Sequence, residues 1–309
     1  MTVIGQMNDN DIGEPMRRVG EAQLFVRSYP GVPGGRWQYR FQVDFADSIV
    51  DPLNPRRGSG GFFETSEVTF DGFVDPAFVT ESAQTKGRLE PLTVTSKAYD
   101  REIAVQIYLT ADYDDRERYP LILMPHGEQW IEGGIVAILD RLFESRGTQA
   151  IVALVPMSGW VGGSWGVAAT TLLAEEVLPA IEAAYPLAEG LDHRALWTVE
   201  DKAAVGLRLA TASPQRFGRF AFQSPKLYFP ELPQLDSVDD ASAFRVSWSR
   251  YAARSAETGV DEKEKAKALL ERLRASGFET DGGEFVAGPG YRTWRTEADA
   301  ILAFLLAGS

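Results

Sequence analysis

The residue types that could carry chemistry are few, and they stand at four places in the chain. Only two histidines occur, His126 and His193, and cysteine is absent. A mechanism that needs an imidazole base must therefore use one of these histidines, and thiolate nucleophiles and thiolate metal sites are excluded. Ser164 stands in a Gly-x-Ser-x-Gly pattern, and the carboxylates Glu200 and Asp201 follow a short apolar run. Together these residues could provide acid–base chemistry or a serine nucleophile.

Alternating strands and helices, predicted from about residue 92 onward, must position these groups. Continuous apolar runs at 120–127, 150–157 and 194–199 are typical of strands buried on both faces. Segments with helical spacing separate the runs, which predicts an α/β fold with a mostly parallel sheet and helices on both faces. Ligands of such sheets bind beyond the carboxyl ends of the strands. We therefore expect a site where four loops meet, at 126–130, 158–166, 199–202 and 224–229.

The first part of the chain has a different pattern, with aromatic and β-branched residues in "AQLFVRSY" and "RWQYRFQVDF" separated by turn residues. We predict a small β-rich N-terminal domain over residues 1–75, a linker over 76–91 and an α/β domain over 92–309.

The composition excludes several classes of partner. The formal net charge of −13 argues against nucleic acid and anionic membranes, both of which require a basic face. No secretion signal and no apolar run of about 18 residues are present, so we expect a cytoplasmic protein. His126, Glu128, Glu200 and Asp201 could form a metal site, but no tight metal-ligand spacing supports it, and we expect neither a metal nor another cofactor.

Several segments, in a shared order, resemble the enterochelin esterase-like family of α/β-hydrolases. The similar segments are "REIAVQIYLTADYDDRERYPLILMPHGEQW", "LLAEEVLPAIEAAYP" and "RLATASPQRFGRFAFQSP", and "YRFQVDFADSIVDPLNPRR" resembles the close of that family's N-terminal β-sandwich. The resemblance covers most of residues 20–308. It implies an α/β-hydrolase fold preceded by a shortened β-sandwich-like domain, and a carboxylic ester hydrolase activity.

The family's catalytic triad is degenerate in this sequence. Where the family has Gly-x-Ser-x-Gly-Gly on a strained strand-to-helix turn, this chain has Thr198 to Ala203, with Glu200 in place of the serine. Pro289 stands where the family has its histidine, and the acid position falls at Glu257 or Asp261. Without both serine and imidazole the triad chemistry fails. The resemblance therefore predicts a pseudoenzyme that has the turn but not the reaction.

Alternatives remain open at three of these positions. Ser164 could be the nucleophile of a working esterase or acyltransferase, although it lies one βα unit too early; the plain interpretation is a glycine-rich loop at the mouth of a pocket. His126 could pair with Glu200 or Glu128 as an acid–base dyad, or could simply bind a loop carbonyl. Glu200 and Asp201 could be an ordinary helix cap. A structural subunit of a larger assembly is a further possibility.

The leading hypothesis is a pocket that binds a small molecule without hydrolysing it. The ligand class implied by the family is a siderophore-like or other bulky acyl ester. Aromatic side chains with a few polar groups are typical of such pockets. The candidate ligand-binding residues are His126, Gly127, Glu128, Trp130, Trp160, Trp165 and Glu200.

Overall fold

The computed structural model of the 309-residue chain describes residues 1–5, 14–32, 34–44, 48–59, 64–70, 72–157, 166–227, 234–250, 261–286, 288 and 290–307. Within these residues, no helix is both long enough and apolar enough to cross a membrane.

The described residues of the N-terminal part form two antiparallel sheets. The strands are β1 (Thr2–Gly5), β2 (Glu14–Pro15), β3 (Arg17–Arg18), β4 (Phe25–Val26), β5 (Gly35–Gln42), β6 (Ser48–Ile49), β7 (Arg57–Ser59) and β8 (Glu64–Phe70). One sheet has the order β2-β1-β5-β8-β7 with β6 also paired to β5, and β3 pairs with β4. The β-rich character expected of this part is present.

In the remainder of the chain, the described residues form a sheet of eight strands. The strands are β9 (Arg88–Ser96), β10 (Arg101–Leu109), β11 (Leu121–Pro125), β12 (Ile151–Val155), β13 (Arg194–Val199), β14 (Arg219–Gln223), β15 (Ala243–Ser249) and β16 (Glu279–Phe285). Their order is β16-β15-β14-β13-β11-β12-β10-β9. In this order, every neighbouring pair from β16 to β12 is parallel. Strand β10 is antiparallel to both of its neighbours, β12 and β9. The predicted mostly parallel sheet is confirmed.

Helices cover both faces of this sheet because the parallel strands are apolar on both sides. The helices are α1 (Ala77–Thr80), α2 (Gly127–Glu132), α3 (Ile135–Arg146), α4 (Val167–Thr171), α5 (Leu178–Ala184), α6 (Lys202–Ala212), α7 (Glu262–Ala275), α8 (Tyr291–Trp294) and α9 (Ala298–Leu305). A π-helical segment, Leu172–Val177, joins α4 to α5. One hydrophobic cluster lies under α4 to α7, and a second lies under α2, α3 and α9.

Two features differ from the prediction. Strand β9 begins at Arg88, so residues 88–91 of the expected linker belong to the large sheet, and helix α1 occupies residues 77–80 of the same segment. Strand β16 was not anticipated, because its sequence "ETDGGEF" is polar. It lies at the edge of the sheet and pairs only with β15, so it lacks the apolar signature of the central strands.

Candidate functional site

Three residues with left-handed backbone conformation lie at the carboxyl ends of three neighbouring strands. His126 follows β11 with a φ of 64°, Glu200 follows β13 with a φ of 48°, and Ser224 follows β14 with a φ of 48°. The left-handed conformation costs a non-glycine residue about 1–2 kcal/mol. Such strain persists where the surrounding structure fixes it, and it is common at functional sites. The strain therefore marks the edge of the sheet where a ligand site was expected.

The backbone at Glu200 forms the sharp turn between β13 and α6. Its N–H donates to the carbonyl of Gln223 at 3.1 Å, and its carbonyl accepts from the N–H groups of Ala203 at 3.1 Å and Lys226 at 3.0 Å. A strained residue between a central strand and a helix is the geometry of a nucleophile elbow. The chain thus has the elbow shape at Glu200, with a carboxylate where the hydroxyl of a hydrolase would stand.

The Glu200 carboxylate forms an ion pair with Lys226, with 2.9 Å between Oε1 and Nζ. Both side chains are about a third exposed, at 31% for Glu200 and 28% for Lys226. The alternative of an ordinary helix cap is contradicted for the side chain of Asp201. Asp201 occupies the N-cap position but accepts no hydrogen bond from the helix backbone. Its carboxylate instead accepts from the Lys202 ammonium at 2.7 Å. Each of the two carboxylates is therefore paired with a lysine.

Lys202 is an unusual residue for this position because its side chain is only 1% exposed. Burial lowers the pKa of Lys202, and the neighbouring Asp201 opposes the change. The 2.7 Å contact between Asp201 and Lys202 compensates a charge that would otherwise be costly to bury. This pair lies directly after the elbow and fixes the charge at the start of α6.

His126 is held by a residue that the sequence did not suggest. Its Nδ1 lies 2.7 Å from the hydroxyl of Tyr291, which is 3% exposed. Burial, with help from the Lys202 charge, lowers the pKa of His126 to about 4, although Asp201 and Glu128 act in the opposite direction. The imidazole is therefore neutral near pH 7 and is a weak base.

Tyr291 lies in α8, close to the carboxylates of the elbow. Burial raises the pKa of Tyr291, and the negative charges of Glu200, Asp201 and Glu128 raise it further. The phenol therefore keeps its proton, and it can donate a hydrogen bond but cannot act as a phenolate base.

The other candidates on α2 have structural contacts. The Glu128 carboxylate accepts from the N–H of Met157 at 3.2 Å and so ties the start of α2 to the end of β12. A Cβ on Gly127 would lie 2.4 Å from the Leu154 carbonyl carbon, so glycine is required for this close approach. Trp130 is fully buried. It packs on Trp197 and Tyr291, with ring centroids 5.0 and 5.1 Å away, which argues against a ligand contact from Trp130.

The acid candidate Asp261 is a helix cap. Its side chain accepts from the N–H of Glu264 at 3.1 Å at the start of α7. The next residue, Glu262, was missed from the sequence. Burial raises the pKa of Glu262 to about 7, with Lys226 opposing and Glu200 adding to the change, so this carboxyl belongs to the same electrostatic neighbourhood as the elbow.

Several predicted site residues lie outside the described residues: Trp160, Ser164, Trp165, Glu257 and Pro289. His193 lies in a short 3₁₀ segment immediately before β13, so it is at the opposite end of that strand from Glu200. Among the residues that the structure describes, no group of three or more histidine or acidic side chains could hold a metal ion.

Comparison with known proteins shows that this chain is similar to esterases. The Esterase family, described as "Putative esterase", matches residues 96–265, which is more than half of the chain. The enterobactin esterase of Shigella flexneri, solved in the presence of enterobactin, is 16% identical with a TM-score of 0.78 over 99% of this chain and 88% of that chain. The ferric enterobactin esterase of Salmonella typhimurium is 15% identical, with a TM-score of 0.81 over the same shares of the two chains.

A ferulic acid esterase of family CE1 from Anaeromyces mucronatus is also similar. It is 16% identical, with a TM-score of 0.59 over 78% of this chain and 100% of that chain. No curated protein matches the sequence. The structural likenesses confirm the expected α/β-hydrolase fold preceded by a small β-rich N-terminal region.

Proposed function

Because this chain belongs to the esterase family and has the fold of the enterobactin esterases, we propose that it is a non-hydrolytic member that binds a small ester-bearing molecule at the Glu200 turn. The observation that carries this proposal is the elbow itself. Glu200 holds the strained conformation of a nucleophile position, but its side chain is a carboxylate paired with Lys226.

The histidines of the chain support the loss of hydrolysis. A serine hydroxyl needs an imidazole base that can accept its proton near neutral pH. The pKa of His126 is lowered to about 4, and its Nδ1 is already engaged by Tyr291. The other histidine, His193, precedes β13 at the opposite edge of the sheet. Neither residue is suited to activate a serine.

The retained strain supports a binding role. Left-handed backbone at His126, Glu200 and Ser224 costs stability, and strain of this kind clusters at active sites and ligand-binding sites. The polar groups at this edge are the neutral His126 and a set of carboxylates and lysines, which would orient a ligand rather than attack it.

The structural relatives are named as an enterobactin esterase and a ferulic acid esterase. For this chain we propose the same broad class, a siderophore-like or other bulky acyl ester. The net charge of −13 supports a small molecule over nucleic acid or an anionic membrane as the partner. We keep a cytoplasmic location as part of the proposal.

Ligand-dependent stabilisation tests the binding role. We expect enterobactin or methyl ferulate to raise the melting temperature of the protein, since a ligand at 100 times its Kd stabilises the folded state by about 2.7 kcal/mol. His126→Ala should abolish the shift, whereas His193→Ala, at the opposite edge of the sheet, should keep it. No shift across esters of both kinds, together with a stable hetero-complex on pull-down, would instead favour the assembly role.

A working hydrolase is the competing outcome. It would use Ser164, or His126 together with Glu200. Stabilisation accompanied by product formation, with the product lost in Ser164→Ala or His126→Ala, would overturn the non-hydrolytic part of the proposal and leave the binding part intact.

A further inference from the structure

The hydrogen bond between His126 and Tyr291 determines which nitrogen of the imidazole carries the proton. The Nδ1 and Oη atoms are 2.7 Å apart. A neutral imidazole has one N–H and one acceptor nitrogen, and a phenol has a single proton. Either Tyr291 donates to Nδ1, or Nδ1–H donates to the phenol oxygen.

Burial decides between these two arrangements. Tyr291 is 3% exposed, and within the described part of the chain its hydroxyl is hydrogen-bonded to His126 alone. If Nδ1–H were the donor, the phenol proton would be buried without an acceptor, which carries the full desolvation penalty of that group. Tyr291 therefore donates to Nδ1. The raised pKa of Tyr291 ensures that this proton is present at every physiological pH.

The protonation state of the ring then fixes the second nitrogen. Burial and the Lys202 charge lower the pKa of His126, and Asp201 and Glu128 oppose them without restoring it. The ring is neutral near pH 7, Nδ1 is an acceptor, and the only N–H of the ring is on Nε2. Within the described residues Nε2 forms no hydrogen bond, and the side chain keeps partial exposure.

We propose that Tyr291 is a positioning residue that fixes His126 as the Nε2–H tautomer, so that the site offers a hydrogen-bond donor to an uncharged carbonyl oxygen of its ligand. The inference rests on the proposed binding function and specifies the chemistry of the ligand. It was not visible in the sequence, because Tyr291 and His126 are 165 residues apart and only the fold brings them together.

The surrounding charges favour an uncharged acceptor over an anion. Both nearby lysines are already used, Lys202 by Asp201 at 2.7 Å and Lys226 by Glu200 at 2.9 Å. Glu128 adds a further carboxylate beside His126. A ligand carboxylate would meet like charge with no free lysine among these to compensate it, whereas an ester or amide carbonyl can accept from Nε2–H without that cost.

Side-chain ¹H–¹⁵N correlation spectra report the tautomer directly. In the His193→Gln variant His126 is the only histidine, so all imidazole signals belong to this residue. We expect Nε2 to resonate as a protonated nitrogen and Nδ1 as an unprotonated one at pH 7. Tyr291→Phe, in the same background, should give a mixture of both tautomers. Tyr119→Phe, which removes a hydroxyl bonded to Asp114, should leave the His126 signals unchanged.

A protonated Nδ1 in the parent spectrum overturns the proposal without the need for any variant. An unchanged spectrum in a folded Tyr291→Phe protein overturns the positioning role.

Adding methyl ferulate and, separately, ferulate to the same sample tests the ligand chemistry. We expect methyl ferulate to shift the Nε2–H resonance and to bind at least several-fold more tightly than ferulate. Tyr291→Phe should weaken methyl ferulate binding several-fold. Preferential binding of ferulate overturns the uncharged-acceptor assignment.

Binding of methyl ferulate to a protein whose His126 is protonated on Nδ1 would overturn this inference and leave the proposed function standing. Failure of both esters of the thermal test to bind a protein with the Nε2–H tautomer would count against the proposed function and the carbonyl ligand, and would leave the tautomer assignment confirmed.

Discussion

Comparing the stability of Glu200→Gly with that of Glu200→Ala tests whether the chain at position 200 is a strained elbow or a relaxed turn. Both substitutions remove the carboxylate and leave Lys226 without this partner, so the loss of an ion pair worth about 0.2–1 kcal/mol is common to both. The two variants therefore differ in how well each residue tolerates the backbone conformation, with its φ of 48°, and in the freedom that each gives the unfolded chain.

The expected difference follows from two opposing costs. A residue with a Cβ loses about 1–2 kcal/mol in the left-handed region, and glycine avoids this loss. Glycine in turn has a more flexible unfolded chain, which costs about 0.5–1 kcal/mol. The hydrogen bonds from Glu200 to Gln223 and from Ala203 and Lys226 to Glu200 hold the turn in place, so alanine cannot relax it cheaply. We expect Glu200→Gly to be more stable than Glu200→Ala by roughly 0.5–1 kcal/mol.

Urea unfolding at neutral pH measures the difference, and the next residue supplies a matched control. Asp201 has a φ of −63°, an ordinary helical value. Both Asp201→Gly and Asp201→Ala remove the Lys202 partner, but here alanine should be the more stable by about 0.4–1 kcal/mol. If alanine is at least as stable as glycine at position 200 as well, the turn is not strained and the elbow interpretation is refuted.

Four further perturbations have defined outcomes. Asp201→Asn should lower the free energy of unfolding by about 2–3 kcal/mol because it leaves the buried Lys202 charge without its carboxylate, and adding Lys202→Met should recover part of that loss in the same urea assay. Gly127→Ala should cost more than about 2 kcal/mol, or prevent folding, because its Cβ would meet backbone atoms of β12 at 2.4 Å. Gly147→Ala has open space around it but a φ of 63°, so it should cost only about 1–2 kcal/mol for the left-handed backbone and is the control without a clash. His126, with its pKa lowered to about 4, makes the free energy of unfolding of the wild type fall by about 1.5 kcal/mol between roughly pH 6.5 and 5, because the unfolded chain takes up the proton first, and His126→Gln should remove that loss. Glu262, with its pKa raised to about 7, contributes stability that is lost as the pH rises from about 4.5 through 7. Glu262→Gln should therefore remove this decline of the free energy of unfolding with rising pH. Urea unfolding curves at several pH values test each assignment separately: a loss below pH 6.5 that persists in His126→Gln contradicts the first, and a loss above pH 4.5 that persists in Glu262→Gln contradicts the second.

The central strands could be predicted because their environment leaves a simple pattern. Leu121–Pro125 and Ile151–Val155 are buried on both faces and are continuous apolar runs. The edge strand Glu279–Phe285 has one paired side and carries polar residues, so no such pattern marks it. Burial on both faces, rather than strand formation itself, is what the sequence pattern reports.

The candidate site was predicted only in part, because its contacts join distant segments. The position and shape of the Glu200 turn followed from its place between β13 and α6. Its partner Lys226 and the partner of His126, Tyr291, come from other loops and helices, and nothing in their local sequence distinguishes them. The aromatic Trp130 was expected in a pocket but lies in the core, since aromatic type alone does not tell which face of a helix is buried.

Hydrolysis of 4-nitrophenyl acetate by the purified protein tests the central claim most directly. Because the elbow carries Glu200 in place of serine and His126 is too weak a base, we predict nitrophenolate release no faster than in buffer alone, with no pre-steady-state burst. Turnover well above the buffer rate that disappears in Ser164→Ala or His126→Ala would contradict the account.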